Sequence, residues 1–422
     1  MSDIRFEGWL HRSGTGGVYQ DSAGNVGIAS TQPQTRLDIG NGEFQVGPTG
    51  IATVTTINTT NIINATPLTN RNIIINGDCR IAQRATSSTS GGNTTIDRWR
   101  GGVGSGVGSI TITRSQQSLS SSDTPYTLGF RKYFRIALSG AGTANAAGAL
   151  ENQIRIEAQD IANSGWNYTS ATSYMTISFW FRCSTNQTFY GRIYSYDGTA
   201  QAYAYGFTAS ANDTWTKITH TFPGNSNLTF DDNVNAGMQL LFIPFYGTDY
   251  TNDKTLNAWA AHSSSNYIPD MASTWLTAGA STFDMTGLQL EVGSVATPFE
   301  HRSFADELRR SQRYYFRIPY QGVASSGGVY LGSGKETGST ARVQVDFPQP
   351  MRTVPSCAAA NLLADDETSA TSANTVSSVL ASTVEPDRGR VQFTGGSYSS
   401  GNSISLATGQ ATDSYLEGDA DL

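Results

Sequence analysis

The most regular pattern in the chain is the alternation at Ser173–Arg182, SYMTISFWFR, where Met175, Ile177, Phe179 and Phe181 interleave with Tyr174, Thr176, Ser178 and Trp180. Successive side chains of a strand point to opposite faces, so the four apolar residues predict the buried face of a half-buried β-strand. Phe189–Tyr196 repeats the pattern, with Phe189 and Ile193 on one face and Tyr190, Arg192, Tyr194 and Tyr196 on the other. Further strands are predicted at Ser109–Arg114, Tyr133–Leu138, Asn152–Glu157, Gln201–Phe207, Trp215–Phe222, Gln239–Tyr246 and Phe283–Val292. About nine or ten strands with Gly, Asn and Asp turns predict a jelly-roll β-sandwich over residues 73–300.

One segment has a helical pattern. Ser303 can cap a helix over Ser303–Phe316, Asp306 and Glu307 fall in its first turn, and Arg309, Arg310 and Arg313 lie towards an end that Pro319 enforces. Its predicted apolar face is Phe304, Leu308 and Tyr315, and residues 301–317 read as a linking helix. Beyond it, residues 318–422 read as a small β-sandwich with strands at Arg342–Phe347, Val376–Val384 and Arg390–Phe393. The acidic terminus EGDADL is expected to fray. Residues 1–50 form a Gly-rich polar leader. Residues 51–72 space Ile and Val through Thr and Asn without charge, too little apolar surface to order a lone chain, so an intertwined β shaft shared between chains, or else a linker, is expected.

Composition narrows the function classes. Charged residues are 14% of the 422, and Ser, Thr and Asn fill the gap, which favours turns and strands over long solvent-facing helices. All-β is the expected class. A net charge of −7 with four Lys gives no general attraction to phosphate backbones, so nucleic-acid binding is not expected. No apolar run approaches the ~18 residues of a membrane span, and MSDIRFEGWL has no signal-peptide core, so no membrane insertion is expected and the product is expected to be made soluble in the cytosol, whatever its destination. Cys79, Cys183 and Cys357 form no CxxC pair and are expected to be free, mostly buried thiols.

Catalytic patterns are sparse. His11, His220, His262 and His301 have neither metal-pair spacing nor a GxSxG neighbour, and Gly101–Gly108 lacks a GK[ST] ending and reads as a flexible loop. No metal or cofactor is expected, and Asn225–Asn235 reads as an Asx-rich loop although its oxygens suit calcium. Nearby carboxylates, Asp231 with Asp232, Asp249 with Asp253 and Glu151 with Glu157, leave glycoside hydrolysis open. The outward face is more informative: Trp180, Arg182, Tyr190, Arg192, Tyr194 and Tyr196, extended by Tyr203 and Tyr205, could stack on sugar rings and bond their hydroxyls. A second buried face or a subunit interface uses the same residues, and the pattern alone does not choose.

NIIINGDCRIAQR (Asn72–Arg84) with IDRWRGG (Ile96–Gly102), and TGLQLEVGSVATPFEHRSFADELRRSQRYYFR (Thr286–Arg317), resemble the opening and closing blocks of a domain in bacteriophage tail-fibre and receptor-binding proteins. The motif positions are Asn76, Gly77, Asp97, Arg98, Trp99, Gln289, Glu291, Pro298, Glu300, Arg313 and Tyr314, and Ser311 stands where many relatives carry Cys. The segment between them is similar to carbohydrate-binding jelly rolls. GNVGIASTQPQTRLDI (Gly24–Ile39) resembles a fibre and adhesin motif, with Ala29 in place of its Gly, and VDFPQPMRTVPS (Val345–Ser356) a fibre-tip motif. The resemblance implies a homotrimeric virion component, docked on tail or capsid through residues 1–50, that binds host-surface polysaccharide without catalysis. A purely structural or capsid-decorating fibre and a polysaccharide depolymerase are the alternatives.

Overall fold

The structure, a computed structural model, describes residues 8–10, 17–28, 37–39, 44–46, 52–54, 70–102, 105–319, 329–336, 340–365, 374–375, 378–394, 403–408 and 414–422. The chain divides into two units, Met1–Leu68 and Thr69–Leu422. The first holds one six-stranded sheet of β1 (Gly8–Leu10), β2 (Gly17–Gln20), β3 (Val26–Ile28), β4 (Leu37–Ile39), β5 (Phe44–Val46) and β6 (Ala52–Val54), paired in chain order. The turn before β3 is tied by Asp21, whose carboxylate accepts from the backbone of Ala23 and Asn25 at 2.9 and 2.8 Å. The expected shaft lies outside the described residues apart from 52–54 and 70–72.

The second unit opens with a jelly-roll sandwich of two six-stranded sheets. Its strands are β7 (Ser87–Ser88), β8 (Arg100–Gly101), β9 (Ile112–Ser118), β10 (Lys132–Leu138), β11 (Ala149–Glu157), β12 (Tyr174–Cys183), β13 (Phe189–Ser195), β14 (Gln201–Phe207), β15 (Thr216–Pro223), β16 (Ala236–Tyr246), β17 (Trp259–Ala261) and β18 (Thr282–Val292). One sheet runs β15-β12-β18-β10-β9-β7, the other β17-β14-β13-β16-β11-β8. Met175, Ile177, Phe179 and Phe181 of β12 are fully buried against Phe189, Ile193 and Phe242 of the facing sheet, as the alternation predicts. Short helices α1 (Thr124–Thr127), α2 (Ala158–Ala162) and α3 (Thr274–Thr277) lie in the connections. The glycine run predicted as a flexible loop begins in β8 with Gly101, and Gly101 and the following Gly102 are buried beside Arg114 and Glu151.

The linking helix differs from its prediction. Ser303 caps α4 (Phe304–Gln312), its hydroxyl accepting from Asp306 N at 3.1 Å, but the helix stops before Tyr315. Tyr315 and Phe316 belong instead to β19 (Tyr315–Pro319), which pairs with the terminal strand and buries both rings. The inward face of α4 is also polar: Phe304 is 58% exposed, whereas Glu307 and Ser311 are buried. Glu307 accepts the Asn76 backbone N–H and an Arg302 guanidinium, so a polar tie rather than an apolar stripe holds the helix down.

The C-terminal sandwich contains β19, β20 (Tyr330–Glu336), β21 (Thr340–Asp346), β22 (Ser356–Ala360), β23 (Leu362–Asp365), β24 (Asn374–Thr375), β25 (Ser378–Val384), β26 (Arg388–Thr394), β27 (Ser403–Thr408) and β28 (Tyr415–Asp419). A three-stranded sheet, β19-β28-β22, packs on a seven-stranded one through Phe316, Val343, Val345 and Leu406. The expectation of a frayed terminus is therefore corrected: β28 is the central strand of its sheet. Asp419 and Asp421 accept from Arg84 at 2.9 and 2.8 Å, and Asp421 accepts from Arg98 at 2.6 Å, charge pairs that fix the acidic end against the jelly roll. Cys79 and Cys183 are buried free thiols and Cys357 is a half-buried one.

Candidate functional site

The residues read as one aromatic platform are divided by the fold. Trp180 and Arg182 lie on β12, in one sheet; Tyr190, Arg192 and Tyr194 lie on β13, in the other. Strands adjacent in sequence are here on opposite layers, so their outward faces point away from each other. Trp180 packs into a cluster with Phe130, Tyr133 and Trp215, and Arg182 bonds Asp284 and Asp123 at 2.9 and 3.2 Å while lying over the Trp215 ring. That end of the face is consumed by its own contacts.

Tyr203 and Tyr205 are corrected more sharply: both are in the core, 2% and 1% exposed. Register explains it. Tyr203 pairs with inward Ile193 and Tyr205 with Gly191, whereas outward Tyr194 and Arg192 pair with Ala202 and Ala204. A Cβ on Gly191 would stand 2.2 Å from the Tyr205 ring, so the missing side chain admits that ring to the interior. Tyr205 stacks there on His220 at 4.5 Å and 7°, and burial lowers His220 to about 4.

The outward face of the second sheet is half roofed. Residues 247–258 and 262–273, on either side of edge strand β17, fold over it, burying Tyr190, Ala204, Leu241 and Ile243 with Ile268 as a small second core. Beside the roof a cleft of about 390 Å³ stays open, lined by Arg192, Tyr194, Tyr196, Glu151, Gln239 and Leu241 from the sheet side and by Tyr246, Tyr250, His262 and Tyr267. Of the predicted platform, Arg192, Tyr194 and Tyr196 meet here, and Tyr190 lies beneath the roof.

The cleft wall is built from rings. Tyr250 and Tyr267 stack at 5.8 Å and 15°, and Tyr267 stacks on His262 at 5.4 Å and 15°, giving three nearly parallel rings. The Arg192 guanidinium lies 4.5 Å from the Tyr267 ring centre and 4.9 Å from that of Tyr194, a cation–π arrangement worth about 0.5–2 kcal/mol per ring. Its Nη2 donates to His262 Nδ1 at 2.7 Å. Burial, then repulsion from Arg192 and Lys254, lowers the His262 pKa, which keeps that nitrogen an acceptor. On the floor, Glu151 accepts from the Tyr246 hydroxyl and from Gln153 Nε2 at 3.1 Å, and burial pushes its pKa up. Gln239 donates to Gln153 Oε1, which also takes Arg155 Nε at 3.0 Å.

The other sequence candidates lie elsewhere. Asp231 and Asp232 are exposed in a loop, Asp232 taking Asn163 Nδ2 at 2.8 Å, and Glu157 is occupied by Arg313 at 2.7 Å and Tyr314 at 2.6 Å. In Asn225–Asn235, Asn225 and Asn233 side chains accept from the backbone two residues on. Among the described residues no three His, Cys, Asp or Glu side chains group as metal ligands do. The roof tyrosines were missed because Tyr250 and Tyr267 sit in a loop without periodicity, and only the high Tyr density of residues 246–267 hints at them.

The motif positions knit the domain ends together. Asn76, with φ 59°, donates from Nδ2 to Ile81 O and Asp97 O, and Trp99 Nε1 donates to Asn76 O at 2.9 Å. Gln289 Oε1 accepts Glu300 N at 2.8 Å, Glu291 accepts Thr297 N at 2.9 Å, and Pro298 O accepts from Arg71 at 3.1 Å.

No family model and no curated protein matches the chain. Solved structures similar to it include the enzymatically active domain of bacteriophage CBA120 tailspike protein 4, with TM-score 0.27 and 11% identity over 53% of this chain and 21% of that one. A putative sugar binding protein from Bacteroides thetaiotaomicron has TM-score 0.29 and 10% identity over 53% of this chain and all of that one. A family 11 carbohydrate-binding module from Clostridium thermocellum, in complex with a β-1,3-1,4-mixed-linked tetrasaccharide, has TM-score 0.25 and 12% identity over 50% and 99%.

Proposed function

We propose that this protein is a bacteriophage virion fibre, homotrimeric, that attaches to the host surface by binding glycan non-covalently in the cleft beside residues 247–273. The observation that carries the binding reading is the ring-lined cleft itself, where five tyrosines surround Arg192, Glu151 and Gln239. Sugar rings present C–H faces that pack on aromatic rings and hydroxyls that need charged or amide partners, and this lining offers both. The fibre assignment is supported by the resemblance of Asn72–Gly102, Thr286–Arg317 and Val345–Ser356 to fibre proteins. Residues 1–50 then face other virion proteins. Three linked sites raise avidity by on the order of 10²–10⁴, so a shallow cleft suffices.

Binding without hydrolysis is favoured by the cleft's chemistry. Glycoside hydrolysis uses a pair of carboxyl groups flanking the bond, and Glu151 is the single carboxylate lining the cleft. The test is retention of the full chain on host-surface polysaccharide, with Tyr194→Ala and Tyr267→Ala. Loss of retention and of host-cell adsorption, with no reducing ends released, is expected. Undiminished retention in the folded double variant would remove the cleft as the site.

A further inference from the structure

Arg192, in the wall of the cleft, and Lys254, just outside its lining, are buried cations, and the nearby carboxylate, Glu151, is shared with three further arginines. Arg192 and Lys254 are 3% and 9% exposed, and among the described residues neither has an ion pair with a carboxylate. The Arg192 guanidinium bonds only a neutral acceptor, His262 Nδ1, and its Nε has no partner at all. Lys254 is close enough that burial and repulsion from Arg192 together lower its pKa. Two neighbouring cations taken out of water are costly unless an opposite charge joins them.

Glu151 does not serve that purpose. Its oxygens already accept from Tyr246 and Gln153, and its negative charge is shared with Arg155, Arg100 and Arg114 besides Arg192. Asp270 is exposed and accepts from Thr251 Oγ1 at 2.6 Å. The cations around the cleft therefore outnumber its one lining carboxylate: Arg192, Arg155, Arg100 and Arg114 surround Glu151, and Lys254 lies near Arg192, in a chain whose own net charge is −7.

We infer that the cleft selects acidic saccharides, an anionic substituent of the sugar seating against Arg192 Nε beside Lys254. This rests on the saccharide-binding reading above and adds the ligand's charge to it. The Nε edge of a guanidinium presents two parallel N–H groups that match two oxygens of a carboxylate, an ester sulfate or a phosphate. A neutral hydroxyl could partner Nε but would leave Lys254 uncompensated. The charge also makes recognition salt-sensitive in a way that stacking alone is not.

The experiment uses the full chain in affinity electrophoresis and biolayer binding. The panel contains polygalacturonate, alginate, hyaluronate and polysialate, each beside its carboxyl-reduced form, dextran sulfate beside dextran, and neutral β-glucan and xylan. At least one acidic polymer is expected to bind roughly tenfold more tightly than its neutral counterpart, with the preference falling as salt rises. The carboxylate and sulfate arms tell which anion the site takes. Arg192→Gln should abolish the preference, and Lys254→Gln, in a loop, provides the same test should the buried Arg192 variant fail to fold. Equal binding of matched acidic and neutral polymers, or binding of neutral polymers alone, overturns the inference and leaves saccharide binding standing. Retention of no polymer overturns both.

Discussion

A Cβ on Gly77 would stand 2.0 Å from the carbonyl oxygen of Leu288, the point where the opening loop of the jelly roll meets its closing strand. The contact exists because β18 bulges there: its register with β12 slips between Ser178 and Trp180, and Gly287 takes φ +64°. The bulge frees Leu288 N, which donates to Gly77 O at 3.0 Å, and Leu288 O, which accepts from Asn72 Nδ2 at 3.1 Å. Both partners of the clash are backbone held by hydrogen bonds, so neither can yield. Gly77→Ala is expected to cost about 3 kcal/mol or more, read from the shift in denaturant midpoint. A shift below about 1 kcal/mol would show that the two segments are not locked as described.

Ser311 offers the opposite sign. It is fully buried on the inward side of α4, and among the described residues its hydroxyl has no hydrogen-bond partner. An unmet buried hydroxyl costs about 1–3 kcal/mol, while a thiol is content as a small apolar group. Ser311→Cys is expected to stabilise the protein by about 1 kcal/mol, seen as a higher unfolding midpoint under reducing conditions. Destabilisation would mean that the pocket around Ser311 is too tight for sulfur or that the hydroxyl is paired.

Asp97 sets a pH dependence. It is 1% exposed, and burial raises its pKa from 3.8 to about 6 despite hydrogen bonds from the Gln83 backbone and amide and the nearby Arg84; Asp421 pushes the same way as burial. The unfolded chain releases this proton near 3.8 and the folded protein near 6, so between those values the folded state holds more protons. Its contribution to stability is full below pH 3.8 and is lost as pH rises through about 6. Asp97→Asn should remove that slope, the stability difference between the two proteins changing by about 2 kcal/mol from pH 4 to pH 7. A constant difference across that range would contradict the buried acid.

The sandwich was legible because its strands obey period two: Met175 to Phe181, and Phe189 with Ile193, face the core as the alternation requires. What alternation does not carry is which sheet a strand joins. β12 and β13 are consecutive yet sit in different layers, so a face shared in the sequence pattern became two faces in space. Nor does it carry which side of a strand is inward when Ala and Tyr alternate, as in β14; the register with Gly191 decides that. The predicted helix ran too far because Tyr315 fits an apolar helical face with Phe304 and Leu308 equally well until β28 claims it. The site was half legible, its sheet side from Arg192, Tyr194 and Tyr196, its roof from no periodic signal.

The separation of the two outer faces yields the sharpest discrimination. Tyr194 is half-buried in the cleft, its ring edge-on to Tyr196 at 4.8 Å and to His262 at 5.0 Å, so truncation opens the wall that a sugar would contact. Trp180 belongs to the cluster of Phe130, Tyr133 and Trp215 on the opposite sheet, where its ring has structural contacts and no part in the cleft. Tyr194→Ala is expected to weaken glycan retention by roughly tenfold or more, in line with the 1–3 kcal/mol of an aromatic anchor, at modest cost to stability. Trp180→Ala should do the reverse, lowering the unfolding midpoint by about 1–3 kcal/mol while retention stays at the parent level. If Trp180→Ala abolished retention with the fold intact by circular dichroism, the binding surface would lie on the β12 sheet and the roofed cleft would have to be given up.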